Sequence, residues 1–417
     1  MFKTVSVGLV LAVTCFTATT VAHADVVTDW NGITLRCVQG VPGSVPANRS
    51  GPVGLLDIAL IQAAVHDAVQ AIEGRYEAYR YSNPSLLGAG STNAAAASAS
   101  YRMLSGLYGA DDPCLVGVID PAVTYAGDGG LQAGNEAAAV MLPLYRPTFA
   151  SPIDPFFGGT EPGQWRPTPN VTMAANTFMA YTEPFTLNST KQFRPQPPPP
   201  MVSEIYTREY NEVKSLGSET GSSRSIAQHD LALFWFTNPI SAWFGTLRGI
   251  SMANMTNVGD SARLFALAGM AAADGQMTVY ESKAHYNFWR PITAIWFGDD
   301  DGNPDTEGDP TWKPLMQTPP YADHSSGANC LASAILSTVE LVLGTDAVNF
   351  SISSSTAGLL TNPRQYSSLS SALDDIVDVR ILQGIHFRSA DIEGRRQGAR
   401  VAHWAYQRFL RPLAGTR

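Results

Sequence analysis

The stretch SARLFALAGMAAADGQMTVYESKAHYNFWRP, residues 261–291, decides how this chain is to be read. It carries no proline before its last residue, and its alanine, leucine and methionine predict a long helix from Ser261 to Phe288. Two cations, Lys283 and Arg290, stand near its end. Positions seven apart on a helix return to one face about 10.5 Å apart. Both side chains are long enough to converge on one tetrahedral anion, Lys as a point charge and Arg as a planar fork. Pro291 stops the helix and leaves Arg290 at its end. Taken alone, two surface cations on an amphipathic helix are the commoner arrangement, so the pair needs company.

The rest of the chain has the same helical texture. Pro52, at a first helical position, opens a helix from Val53 to Glu73. Ser91 can cap an alanine-rich helix to about Tyr108, and a third covers Leu131 to Leu144. From Pro147 to Pro200 proline, glycine and aromatic residues leave no regular element, so this is an ordered wrap. Helices resume over Ser203–Leu216, Ser225–Phe236, Ser241–Asn257, Gly327–Leu343, Ser367 to about Gly384, and Asp391–Leu410. Few segments alternate with period two. The expectation is an all-α fold, one helical bundle or two packed together.

The chain is read as residues 1–24, then an N-terminal helical region and wrap at 25–200, then a C-terminal bundle at 201–417. Lys3, the apolar run Val5 to Thr14 and the small residues around Ala24 read as a secretory signal peptide, implying a secreted or periplasmic protein. No later segment reads as long and apolar enough to cross a membrane. Cys15 leaves with the signal, and of Cys37, Cys114 and Cys330 the pair Cys37–Cys114 is the chosen disulfide. No C-x-x-C pair suggests zinc. Asp299, Asp300, Asp301, Asp305, Glu307 and Asp309 lack the ligand order of a calcium loop and read as a solvated turn. Net charge is -9, which argues against nucleic-acid partners. An acidic protein that binds an anion must gather its cations locally.

Two further pieces do so. Pro319 to Gly327 opens the apolar helix Ala328–Leu343, and a Ser-Gly turn at a helix N-terminus offers backbone N–H groups and a hydroxyl to an anion. Plain capping by Ser325 or Ser326 is the commoner use. In Arg380-Ile-Leu-Gln-Gly-Ile-His386, Gly384 breaks the helix and can bring Arg380 and His386 to one pocket.

Together the three pieces resemble the signature shared by vanadium-dependent haloperoxidases and type 2 phosphatidic acid phosphatases: Lys-x6-Arg-Pro, then Pro-Ser-Gly-His, then Ser-Arg-x5-His-x3-Asp. Order and internal spacings match. Gly163-Gln164-Trp165 with Pro167, Trp289-Arg290-Pro291 with Ala294-Ile295, Gly302-Asn303-Pro304 and Ile385 to Ser389 resemble the soluble bacterial haloperoxidase-like branch. The likeness runs from about Val27 to Leu410. It implies that Lys283, Arg290 and Arg380 neutralise oxygens of vanadate or phosphate, with Ser326 and the Gly327 amide completing the cradle. It further implies that His386 bonds the vanadium, or attacks phosphorus as a nucleophile.

The chain departs from the pattern at informative places. The acid–base His after Ser-Gly is Ala328, the Pro before Ser is Ser325, the Ser before the third-motif Arg is Val379, and the Asp four after the His is Ala390. Asp391 lies one residue later. Loss of a general acid costs about 10²–10⁴-fold in rate, and His324 or His285 are the candidate substitutes. Three functions follow: peroxide-dependent halide oxidation at vanadate, a secreted acid phosphatase acting on small phosphoesters, or a non-catalytic phosphate- or vanadate-binding relic.

Overall fold

The computed structural model describes residues 24–42, 51–144, 156 and 158–415, so the signal-peptide reading lies outside the described residues apart from Ala24. Thirteen α-helices are found among them: α1 Val26–Gln39, α2 Pro52–Glu73, α3 Thr92–Tyr108, α4 Pro121–Thr124, α5 Gly130–Met141, α6 Glu204–Leu216, α7 Ile226–Phe234, α8 Pro239–Asn254, α9 Val258–Tyr286, α10 Pro291–Trp296, α11 Gly327–Leu343, α12 Leu369–Leu382 and α13 Arg388–Arg408. A small antiparallel hairpin, β1 Phe350–Ile352 with β2 Arg364–Tyr366, lies between α11 and α12, its Phe350 and Tyr366 rings stacked at 5.3 Å. The all-α reading therefore holds. Three-residue strands are too short to betray themselves by alternation.

Local chemistry sets the ends. Ser91, Ser203 and Ser225 each accept a hydrogen bond from the backbone N–H three residues on, and Ser225 forms a reciprocal pair with Gln228. Some helices start earlier than the sequence suggests, because an unrecognised cap lies upstream: Asn238 before Pro239 in α8, Asn257 before α9. Helix α1 was not anticipated at all. Asp25 and Thr28 start it with a reciprocal capping pair.

One correction concerns α2. It is long and apolar enough to cross a membrane, with a mean hydropathy of 1.4 over its best window, yet that window is entirely buried inside the protein. A helix apolar all round belongs in a core, and α3, α5 and α9 surround it. In the described part of the wrap, the regular structure is a five-residue 3-10 turn at Thr177–Tyr181.

Helix α9 is the axis of the molecule, with α2 on one flank and α11 and α13 on another. Its Ala262 to Ala273 face is buried in a core that runs from Val27 to Leu410. The α11–α13 contact is close because α13 offers glycine. A Cβ on Gly394 would come within 2.3 Å of the Ser326 carbonyl, and one on Gly398 within 2.3 Å of the Cys330 carbonyl. This holds the N-terminus of α11 against α13.

Cys37 at the end of α1 is bridged to Cys114, as the sequence suggested, at a sequence separation of 77, and Cys330 is free and buried. Closing so long a loop restrains the unfolded chain, so Cys37→Ser with Cys114→Ser is expected to lose about 2–5 kcal/mol. Urea unfolding of the variant beside the oxidised protein measures this.

Candidate oxyanion site

The long helix ends sooner than Pro291 would make it. Asn287 adopts φ 47°, its N–H caps Lys283, and the chain turns before Arg290, which stands as the N-cap of α10. Lys283 and Arg290 thus do not share one helix face. They are joined instead by the loop before α11. Lys283 Nζ donates to the carbonyls of Ala322 at 2.7 Å and Asp323 at 2.9 Å. Arg290 Nε donates to the Tyr321 carbonyl at 2.7 Å, and its Nη1 to that of Ile385 at 2.6 Å. The Tyr321 ring covers both cations, with centroid distances of 5.1 and 5.0 Å.

The wrap fixes this corner from outside. Trp165 N–H donates to the Asn287 carbonyl and Trp289 N–H to that of Gly163, so Gly163-Gln164-Trp165 pairs with the turn leading to Arg290. Beneath it, Phe288 packs on Phe387 at 5.9 Å and Tyr206 of α6 on Phe387 at 5.5 Å. These aromatics tie the neighbours of Arg290 to the neighbour of His386.

Ser326 is the N-cap of α11, but its hydroxyl makes no capping bond. It receives Asn329 Nδ2 at 3.3 Å, and the same amide donates to Asp391 Oδ1 at 2.8 Å. Asp391 therefore serves the base of α11. A different carboxylate stands beside the imidazole: Asp323 Oδ1 lies 2.8 Å from His386 Nδ1 and 3.7 Å from Arg290 Nη1, all three side chains being buried. Nothing in the linear pattern marked Asp323 for this place.

Electrostatics follow from burial. Desolvation raises Asp323 to about 7, against the pull of Arg290 and Lys283. His386 is held well below its ordinary value by burial and then by Arg290, Lys283 and Arg380, so its imidazole is neutral and keeps a lone pair. Burial, reinforced by Arg290, also lowers Lys283 well below the usual lysine value. Arg380 is anchored by Nη1 to Gln383 Oε1 at 2.7 Å. Asp323→Asn replaces the carboxylate beside the imidazole with a neutral amide of the same shape. It is expected to lower turnover about 10–100-fold without weakening phosphate binding, a split that steady-state kinetics beside calorimetry would reveal.

A cavity of about 470 Å³ brings Gly327, Arg380 and His386 together with Ala328, Tyr280 and Tyr321. Its outer wall is apolar, including Trp235 and Trp243 stacked at 5.0 Å. Arg290 sits directly behind, with Nη1 3.1 Å from His386 Nε2. Lys283 borders a second cavity of about 140 Å³ that also touches Tyr280 and Tyr321. Of the two substitute histidines, His324 is buried and turned to the wrap, its Nε2 2.7 Å from the Gln196 carbonyl, and burial lowers it to about 4. His285 is exposed against the Tyr286 ring. Neither lines the large cavity.

The residues fit an oxyanion. Arg290 Nη2 and Arg380 Nε are buried donors that find no hydrogen-bond partner among the described residues, and such donors are costly unless something accepts from them. The N-terminus of α11 adds its dipole at Gly327. A neutral imidazole nitrogen completes a set suited to tetrahedral vanadate or phosphate.

The described residues thus place a buried cationic cluster within a mostly helical fold. Residues 263–415 match the model of the VCPO second helical-bundle domain. The vanadium chloroperoxidase of Curvularia inaequalis is 28% identical over 202 residues, covering 39% of this chain; the match spans about a third of that relative's length, 32%. Among solved structures, the first bacterial vanadium-dependent iodoperoxidase superposes with a TM-score of 0.74 at 21% identity, covering 94% of this chain and 97% of that one. The holo form of a bacterial vanadium-dependent chloroperoxidase gives 0.70 at 14%, covering 93% and 97%. Residues 263–415 are thus similar to that family's second helical bundle, and the chain shares the helical-bundle fold of the two bacterial vanadium-dependent haloperoxidase structures.

Proposed function

We propose that this protein is a vanadate-dependent peroxidase-like enzyme that oxidises halide with hydrogen peroxide, its small-molecule partners being vanadate, peroxide and halide. The observation that carries the reading is the buried cluster of Lys283, Arg290, Arg380 and His386, in which two guanidinium nitrogens find no partner among the described residues. His386 would hold vanadium through Nε2, because Nδ1 faces Asp323. Arg290, Arg380 and the Gly327 amide would neutralise vanadate oxygens, with Lys283 and Ser326 behind them. Bound vanadate supplies an electrophilic centre that activates peroxide. The chain's own share is to fix that anion, exclude bulk water behind apolar walls and keep His386 neutral.

A phosphatase reading is favoured by one separate observation. Asp323 Oδ1 lies 2.8 Å from His386 Nδ1, where a carboxylate would orient the ring as a nucleophilic His requires. Phosphate fits the same cradle. Ala328 is what supports a binding relic. We also propose export to the periplasm or medium, supported by the Cys37–Cys114 bridge.

The test assays halide oxidation with vanadate and peroxide, and p-nitrophenyl phosphate hydrolysis without vanadate. Vanadate or phosphate at a hundred times its Kd is expected to stabilise the protein by about 2.7 kcal/mol, read as a rise in Tm. No rise with either anion sinks the cradle. Turnover that appears only in Ala328→His marks a relic.

A further inference from the structure

The large cavity has few ways to move a proton. Among the described residues that line it, Tyr280, Tyr321, Arg380 and His386 carry ionisable groups. Arginine keeps its proton, and His386 is taken up by the oxyanion or by phosphorus. Tyr280 is buried, with its hydroxyl held by Asn176 Nδ2 at 3.0 Å. Tyr321 is different. It is half-buried on the cavity wall, lies edge-on to Tyr280 at 5.4 Å, and covers Lys283 and Arg290 with its ring. Its phenol feels the charges of both Arg290 and Arg380.

We propose that Tyr321 is the proton-transfer residue of this site, filling the role left vacant at Ala328. The inference rests on the enzymatic reading above. It uses the geometry of the loop, which sets the Tyr321 side chain on the cavity wall beside His386 and Arg380, with its ring over Lys283 and Arg290. In phosphoryl transfer a P–N bond to His386 forms as the P–O bond to the leaving group breaks, and the departing oxygen takes the Tyr321 proton. Water then attacks phosphorus, returns a proton to the phenolate, and the P–N bond breaks to release phosphate. In halide oxidation, peroxide and halide give hypohalous acid and water. Halide loses two electrons as the O–O bond breaks, the Tyr321 proton goes to the departing oxygen, and solvent reprotonates the phenolate.

Tyr321→Phe keeps the ring over the cations and the carbonyl that accepts from Arg290. Turnover is expected to fall about 10²–10⁴-fold, with KM within about threefold and the phosphate-induced rise in Tm unchanged. Ala328→His in that background, placing an imidazole on the same wall, is expected to restore about tenfold or more. Unaltered protein supplies an independent measurement, which also decides the matter if the variant does not fold. If a proton is delivered, kcat varies less than about tenfold from p-nitrophenyl to phenyl to methyl phosphate, whereas a fall beyond about a hundredfold overturns the proposal. Tyr321→Phe turning over within about twofold of wild type removes the tyrosine from the mechanism and leaves the enzymatic reading standing. Wild-type protein that binds both anions and turns over neither substrate overturns both.

Discussion

Replacing His386 with alanine is expected to abolish turnover, by about a thousandfold or more, while leaving the cradle able to take up phosphate. Among the described residues that line the cavity, the ring is the one imidazole, so no neighbour there can replace its nitrogen lone pair. Arg290 loses its contact with the imidazole but keeps the Tyr321 and Ile385 carbonyls, and Arg380 keeps Gln383. Phosphate should therefore still raise the Tm of His386→Ala when its activity is gone. Halide oxidation and p-nitrophenyl phosphate hydrolysis, run beside a thermal shift, separate the two effects. Activity that survives the substitution sinks both enzymatic readings.

Arg290→Ala is expected to damage the protein itself. The guanidinium is fully buried and serves two carbonyls, and Asp323 lies 3.7 Å away. Removing one member of a buried ion pair costs about 3–5 kcal/mol, because the partner charge is left without compensation. Two orphaned carbonyls add to this. Urea denaturation should show the loss, and phosphate should no longer stabilise the variant. Arg290→Lys is not a rescue, since an ammonium cannot span both carbonyls and still face an anion. Stability within about 1 kcal/mol of wild type would show that the buried pair carries little.

These effects were partly visible in the chain before any coordinates. Three motifs in the right order pointed to one pocket, and Gly384 does make the turn, at φ 79°, between Arg380 and His386. Helix texture was legible because proline and capping serines punctuate it. What escaped was what depends on distant partners. Asp323 and His386 are separated by the whole of α11, the hairpin and α12, so no spacing rule joins them. The start of α8 was misplaced because Asn238 competes with Ser241 as a cap, and tertiary context chose the former. Arg290 was expected at a helix end; its true place follows from the left-handed turn at Asn287, a conformation that asparagine tolerates and that no periodicity reveals.

The loop from Pro319 to Gly327 gives its carbonyls to Lys283 and Arg290, its carboxylate to His386, a phenol to the cavity wall and its last amide to a helix terminus. Under the proposed function, a combinatorial library confined to that one short segment is expected to vary proton delivery, the setting of His386 and anion preference together. For protein engineering, any loop exchanged there must keep the contacts that tie it to Lys283, Arg290, Gln196 and Gln397.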